Sequence, residues 1–395
     1  MKAKLVAALV ASALLLPVSG VYGHDDDAKG EKFGKVLFKT SCSPAAQKEF
    51  ERALALLHSF DFPETIKAFS AIPQTDPGCA IAYWGLAVSI RPNPLVGPWD
   101  AATLKRGLDA VEKGEAIGAK TQRERDWLAA IKEFYKGFDT VDQDTRTRNY
   151  EKAMEALTRK YPNDVEAKVF HALALNEIFD HKDMKPLLQA IKILQPLERQ
   201  YPNHPGIAHY LIHSYDFAPL AKKGVPVANK YAKIAPSAAH AQHMPSHIYS
   251  MVGMWKESIA SNISSIKVAN EYAAKAKLDG VTVGVPHSYD FMQYAYLQLG
   301  QDAKAKELIA GTAKVTKVLG PVSAGQMARA AVPARYTLER QDWKGAAQLQ
   351  PLGSPFPAAE AVTHFARALG AARSGELAAA QADIEKLKEL RAGLE

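Results

Sequence analysis

Cysteine is almost missing from this chain: Cys42 and Cys79 are the two present in 395 residues. That scarcity excludes a small disulfide-dense scaffold, and the absence of CxxC and CxxCH spacings excludes thioredoxin-like and c-type haem motifs. In an oxidising compartment two isolated cysteines most simply pair with each other, and no spacing supports a two-thiolate metal site instead. Long apolar runs are also missing beyond residue 16, so no membrane span is expected. Lys and Arg are scattered among Glu and Asp despite a formal charge of +7; without a basic block, nucleic acid is not an expected partner. No Gly-rich phosphate loop, GxSxG elbow or HExxH pair occurs, and the methionines form no cluster. Whether the chain is an enzyme is therefore left open by its motifs.

The one apolar run lies at the start. MKAKLVAALVASALLLPVSGVYG carries two lysines, apolar residues from Leu5 to Leu16, and then small residues. This is the pattern of a secretory signal peptide, with cleavage expected after Gly23 and Gly20 as the alternative. Losing Lys2 and Lys4 lowers the formal charge from +7 to +5. The mature protein is then expected in the periplasm or the medium.

Strand-type Val/Ile/Thr alternation is nearly absent, and from Ser43 onward the apolar spacing is helical, as in AQKEFERALALLHSF and NYEKAMEALTRKYP. Short breaks interrupt it, and they recur. Pro162, Pro202 and Pro236 each follow a basic-apolar helix, forty and then thirty-four residues apart. GMWKES at Gly253, GQDAKA at Gly300, RQDWKG near Gln341 and GELAAA at Gly375 mark turns inside helix pairs. Periods of this size with two helices per unit imply an all-α solenoid. The expected organisation is a signal peptide (1–23), an N-terminal extension (24–42), degenerate helices (43–140) with an irregular loop at 91–100, central repeats (141–310) and C-terminal helices (311–395).

The units resemble tetratricopeptide repeats (TPR). Tyr215, Tyr296, Gly253, Gly300, Pro202 and Pro236 fall where that repeat has a late tyrosine, a turn glycine and a closing proline. The resemblance is strong over 160–310 and implies a right-handed superhelix of antiparallel helix pairs whose concave groove binds a peptide or protein. LLHSF, DPGCAIAYWGLA, HYLIHSYD and HAQHMPSHI are similar to an exported bacterial subgroup of such proteins, a likeness that implies a fold rather than an activity.

Histidine is what the sequence concentrates. His209 and His213 lie seven and eleven residues after Pro202; His243 and His247 lie seven and eleven after Pro236. Each pair has i, i+4 spacing, which places both rings on one helical face, and a stacked repeat sets the two pairs side by side. Aligning Gly300 with Gly253 puts His287 against His240, Asp290 against His243 and Tyr294 against His247. The resemblance implies that His209, His213, His243 and His247 occupy groove positions where peptide-binding members carry Lys, Arg or Asn. Neutral imidazole is a common ligand of Zn, Cu, Ni and Fe. The expected ligand set for such a divalent transition metal is His209, His213, His240, His243, His247, His287 and Asp290, with Asp216, Tyr249, Tyr289 and Tyr294 around it. A polar groove that binds a peptide or protein without metal is the alternative. His58 is expected to be a hydrogen-bonded packing residue, and His204, beside a polar break, to lie at the surface or in a loop.

Overall fold

A computed structural model describes residues 30–91, 93–319 and 322–393; the expected signal segment lies outside them. The chain divides into two compact units, 1–31 and 32–395, and everything below concerns the second. It is an all-α helical repeat. The first third comprises α1 (Pro44–His58), α2 (Phe62–Thr75), α3 (Ala82–Ile90), α4 (Ala101–Ile117) and α5 (Gln122–Tyr135). The central part comprises α6 (Gln143–Lys160), α7 (Val165–Glu177), α8 (Lys185–Gln200), α9 (Pro205–Tyr215), α10 (Ala218–Ile234), α11 (Ala239–His243), α12 (Pro245–Met251) and α13 (Trp255–Lys275). A two-residue strand, β1 (Val281–Thr282), precedes α14 (Gly284–Gln298) and α15 (Asp302–Ala313) and pairs in parallel with β2 (Val318–Leu319). The rest is α16 (Val322–Glu339), α17 (Trp343–Ala347), α18 (Pro357–Arg373) and α19 (Leu377–Ala392). No helix among the described residues is long and apolar enough to cross a membrane.

The helices end where the chain chemistry says they must. Pro162, Pro202 and Pro236 lie in the breaks before α7, α9 and α11. Gly253 and Gly300 take positive φ (77° and 68°) in the turns before α13 and α15, a conformation that costs a residue with a Cβ. Each helix packs on its sequence neighbours, as the short connections require. One continuous apolar core runs from Phe38 to Tyr249, around Trp84, Trp127, Phe50 and Phe170; a smaller cluster around Met292, Leu308 and Val332 serves the later helices. In the irregular segment after α3, Arg91 is fully buried, pairs through both guanidinium nitrogens with Glu177 at 2.6 and 3.1 Å, and stacks over Phe134 and Tyr150.

Two long-range features position the site. First, residues 32–42 form an extended arm along the N-terminal ends of alternate helices. Ser41 donates to Glu124 of α5, Leu37 N–H to Glu166 of α7, Lys35 N–H to the Asn203 carbonyl before α9, and Lys32 N–H to Ser237 before α11. The disulfide between Cys42 and Cys79 ties the end of this arm to the start of α3. Second, the α1–α2 hairpin reaches across the chain: α1 touches α9, and Tyr272 of α13 donates to Glu64 of α2 at 2.9 Å.

Candidate metal centre

Six histidines from α9, α11, α12 and α14 gather into two groups of three. Pro205 starts α9, and the i, i+4 spacing turns His209 and His213 to one face. His240 of α11 joins them. His213 Nε2 is 3.0 Å and His240 Nε2 3.1 Å from His209 Nε2. The second group is His243, His247 and His287, with His243 Nε2 and His247 Nε2 3.0 Å apart. Pro245 lacks an N–H and divides α11 from α12, so His243 and His247 keep their i, i+4 relation across a break. The segment α11–α12 stands between α9 and α14 and serves both groups, sending His240 one way and His243 and His247 the other.

The rings are held from behind. His209 Nδ1 donates to the His58 carbonyl at 2.6 Å. His247 Nδ1 donates to Asp216 at 2.7 Å, and His243 Nδ1 to Asn262 Oδ1 at 2.6 Å. Asn262 Nδ2 donates to the Ser258 carbonyl, which settles which end of that amide faces His243. With Nδ1 as its donor, a neutral ring carries a bare lone pair on Nε2. The Nε2 atoms of His243 and His247 face each other across 3.0 Å, so two lone pairs meet there when both rings are neutral. In the first group His209 Nε2 has one lone pair for two neighbours and cannot accept fully from both.

Burial and the neighbouring rings hold His209, His213, His240 and His243 well below the usual imidazole range, and His287 is lowered to about 4, again chiefly by burial. All five are thus neutral, and able to bind a cation, at neutral pH. A phenylalanine covers each group. Phe60 lies 4.5 Å from His209, 5.5 Å from His240 and 5.9 Å from His213, ring centre to ring centre. Phe291 lies 4.8 Å from His243, 4.8 Å from His247 and 5.3 Å from His287. Phe60 holds φ +53°, a strained backbone for a bulky residue of the kind that gathers at functional sites.

A third cluster looks similar but is already satisfied. His58 and His204 both approach Glu166, at 3.0 and 2.9 Å. Tyr210 donates to His58 Nδ1 and Ile207 N–H to His204 Nδ1, so each ring has an Nε2 proton to give to the carboxylate. Every polar atom has its partner there without a metal. His58 is the buried, bonded residue the sequence suggested. His204 lies in the break between α8 and α9 and caps α9, but it is not at the surface: it is 2% exposed, because the arm and Glu166 close over that break.

Other expected residues stand elsewhere. Asp290 is one turn from His287, but Arg335 takes its carboxylate at 3.0 and 3.3 Å, and it belongs to neither group. Asp216 is in place behind His247. Tyr249 is buried with its hydroxyl on Asn229, Tyr289 packs on the Met292 cluster, and Tyr294 sits between Trp255 and Arg335. The repeat alignment of His287 with His240 does have a structural meaning, since each supplies the third ring to the pair of the preceding unit. One repeat earlier the same position is Gly206, where a Cβ would lie 2.3 Å from His58 Nδ1. The missing side chain makes room for His58, which then offers its carbonyl to His209. Sequence reasoning overlooked that role of His58, along with Phe60, Phe291 and Asn262; Gly206 in the histidine register was the available signal.

No family model and no curated sequence matches this chain. Solved structures similar to it include the APC/C hetero-tetramer Cut9–Hcn1 (12% identity, 89% of this chain and 68% of that one, TM-score 0.40). Another is Naa15/Naa10 bound to HypK-THB (12%, 87% of this chain but just 58% of that one, TM-score 0.26). The TPR domain of P58(IPK) is a third (14%, 89% and 96%, TM-score 0.23). None brings a function to the histidines.

Proposed function

We propose that this helical-repeat protein holds transition-metal ions in its histidine cluster, one ion in each group of three Nε2 atoms. The observation that carries this reading is the Nε2 pair of His243 and His247 at 3.0 Å, with each ring anchored from behind through Nδ1. Two lone pairs repel at that distance unless a cation lies between them. Nitrogens about 2.05 Å from one ion and 3.0 Å apart subtend roughly 95° at it, the angle of three ligands on one face of an octahedron with the opposite face free. Asp216, Asn262 and the His58 carbonyl would orient the rings and raise their basicity, as partners behind metal-bound histidines do. The disulfide and the N-terminal apolar segment suit an exported protein loaded outside the cytoplasm.

Elemental analysis after purification and again after EDTA dialysis and reloading tests this directly. Stoichiometric metal is expected, falling by one equivalent in His209→Ala and by one in His243→Ala. A folded protein with no bound metal and no thermal shift on adding Zn, Cu, Ni or Fe would refute it. A peptide- or protein-binding role is a second reading, favoured by a cleft of about 350 Å³ beside the site, where Met327 and Phe365 are exposed next to Arg335 and Glu339.

A further inference from the structure

We infer that the two triads make a single centre, a pair of copper ions that share one small exogenous ligand. This rests on the two-site reading above and adds the metal, the pairing and the ligand.

The triads adjoin without an intervening layer. His213 and His247, from different triads, have ring centres 6.2 Å apart, and His240 and His243 are 6.1 Å apart. Burial is graded in the same way in both. His209 and His243 are fully buried and bonded to the scaffold, whereas His213, His240, His247 and His287 are partly exposed. The four outer rings are thus the partly exposed members of adjoining triads, while Phe60 and Phe291 press on the triads individually. Three nitrogens leave positions open on each ion. A ligand entering between the outer rings reaches both.

Charge selects the metal. Imidazole ligands bring no negative charge, and the carboxylate bonded to a triad ring is Asp216. Two divalent ions against that one carboxylate leave +3 in a desolvated site; two cuprous ions leave +1. Uncompensated charge away from water is costly. Zinc and iron pairs would want carboxylate ligands, and Asp290, the nearest candidate in sequence, is taken by Arg335. Imidazole suits copper, and copper heads the affinity order for such donors. When both ions are cupric, the excess charge draws a small anion into the shared position.

The test uses the whole chain stripped of metal. Anaerobic competition against a chromophoric cuprous chelator should give two Cu(I) per chain, bound more tightly than Zn(II). Loading instead with two Cu(II) and adding azide should abolish most of the EPR signal, with one azide taken up per two coppers, because a bridge couples the two spins. His240→Gln, checked for folding by circular dichroism, should keep one copper at full EPR intensity with or without azide; His287→Gln should do the same from the other triad. Two coppers at full spin intensity in azide would overturn the shared ligand. Tighter Zn(II) than Cu(I) would overturn the choice of copper and leave the two-site reading standing. No bound metal of any kind would remove both.

Discussion

Gly206→Ala offers the sharpest check on how the first triad is supported. An added Cβ would meet His58 Nδ1, Cγ and Cε1 at 2.3, 2.7 and 2.8 Å. His58 cannot step aside freely, because Tyr210 holds Nδ1 at 2.9 Å and Glu166 holds Nε2 at 3.0 Å. Forcing an extra carbon into packed surroundings costs about 1–3 kcal/mol. Leaving buried polar groups without partners adds roughly 1–3 kcal/mol. Alanine recovers up to about 1 kcal/mol of helix propensity over glycine. The expected net loss is therefore about 1–5 kcal/mol. Urea denaturation followed by circular dichroism measures it, with Gly284→Ala as the control, since nothing lies within 4 Å of a Cβ at that helical position. Removing the opposing ring should remove the effect, so Gly206→Ala/His58→Ala should be no less stable than His58→Ala alone. Metal affinity should weaken in the first triad and hold in the second, because the His58 carbonyl orients His209. A Gly206→Ala protein as stable as the parent, or strictly additive losses in the pair, would refute the reasoning.

Replacing Cys42 and Cys79 together by serine opens a loop with a sequence separation of 37 and should cost about 4 kcal/mol by chain entropy, read from denaturation of the oxidised and substituted proteins. Asp216→Ala should weaken metal in the second triad about 10–100-fold in a competition titration, whereas Asp290→Ala should leave metal stoichiometry unchanged. Stability should decline on acidification. Burial would raise Glu166, but its contacts with His204 and His58 outweigh it and hold the carboxyl well below its ordinary 4.5, so its contribution is present above that value and lost progressively as pH falls below it. His58, lowered from 6.5 chiefly by burial, takes up its proton more readily when unfolded and adds to the loss below that pH. Melts between pH 7 and 4 check His58, and melts continued well below pH 4.5 check Glu166; a flat profile would contradict the assignment.

The helices, their breaks and all six clustered histidines were legible in the sequence because each rests on local chemistry. Proline and glycine end helices where they stand, and i, i+4 spacing is enough to place two rings on one face. What escaped depended on distant partners. The repeat offset set the His243–His247 pair beside the His209–His213 pair, but the Pro245 break lets the α11–α12 segment divide its rings between α9 and α14. Asp290 looked available until Arg335, 45 residues later, came to it. Phe60 and His58 enter the site from a hairpin about 150 residues away from the histidines they touch, as the 151-residue separation of His58 and His209 shows; no periodicity reports such an approach.

The arm at 32–42 bears on how the protein comes to be built. In a simple repeat stack each module answers to its neighbours alone, so modules can be made, lost or duplicated one at a time. Here the chain's early residues wait for its middle: Lys32 meets Ser237 across a separation of 205 residues. During synthesis the arm cannot finish docking until some two hundred further residues have emerged, and once complete it runs like a seam over four units. Any evolutionary insertion or deletion of a unit between α5 and α11 would throw that seam out of register.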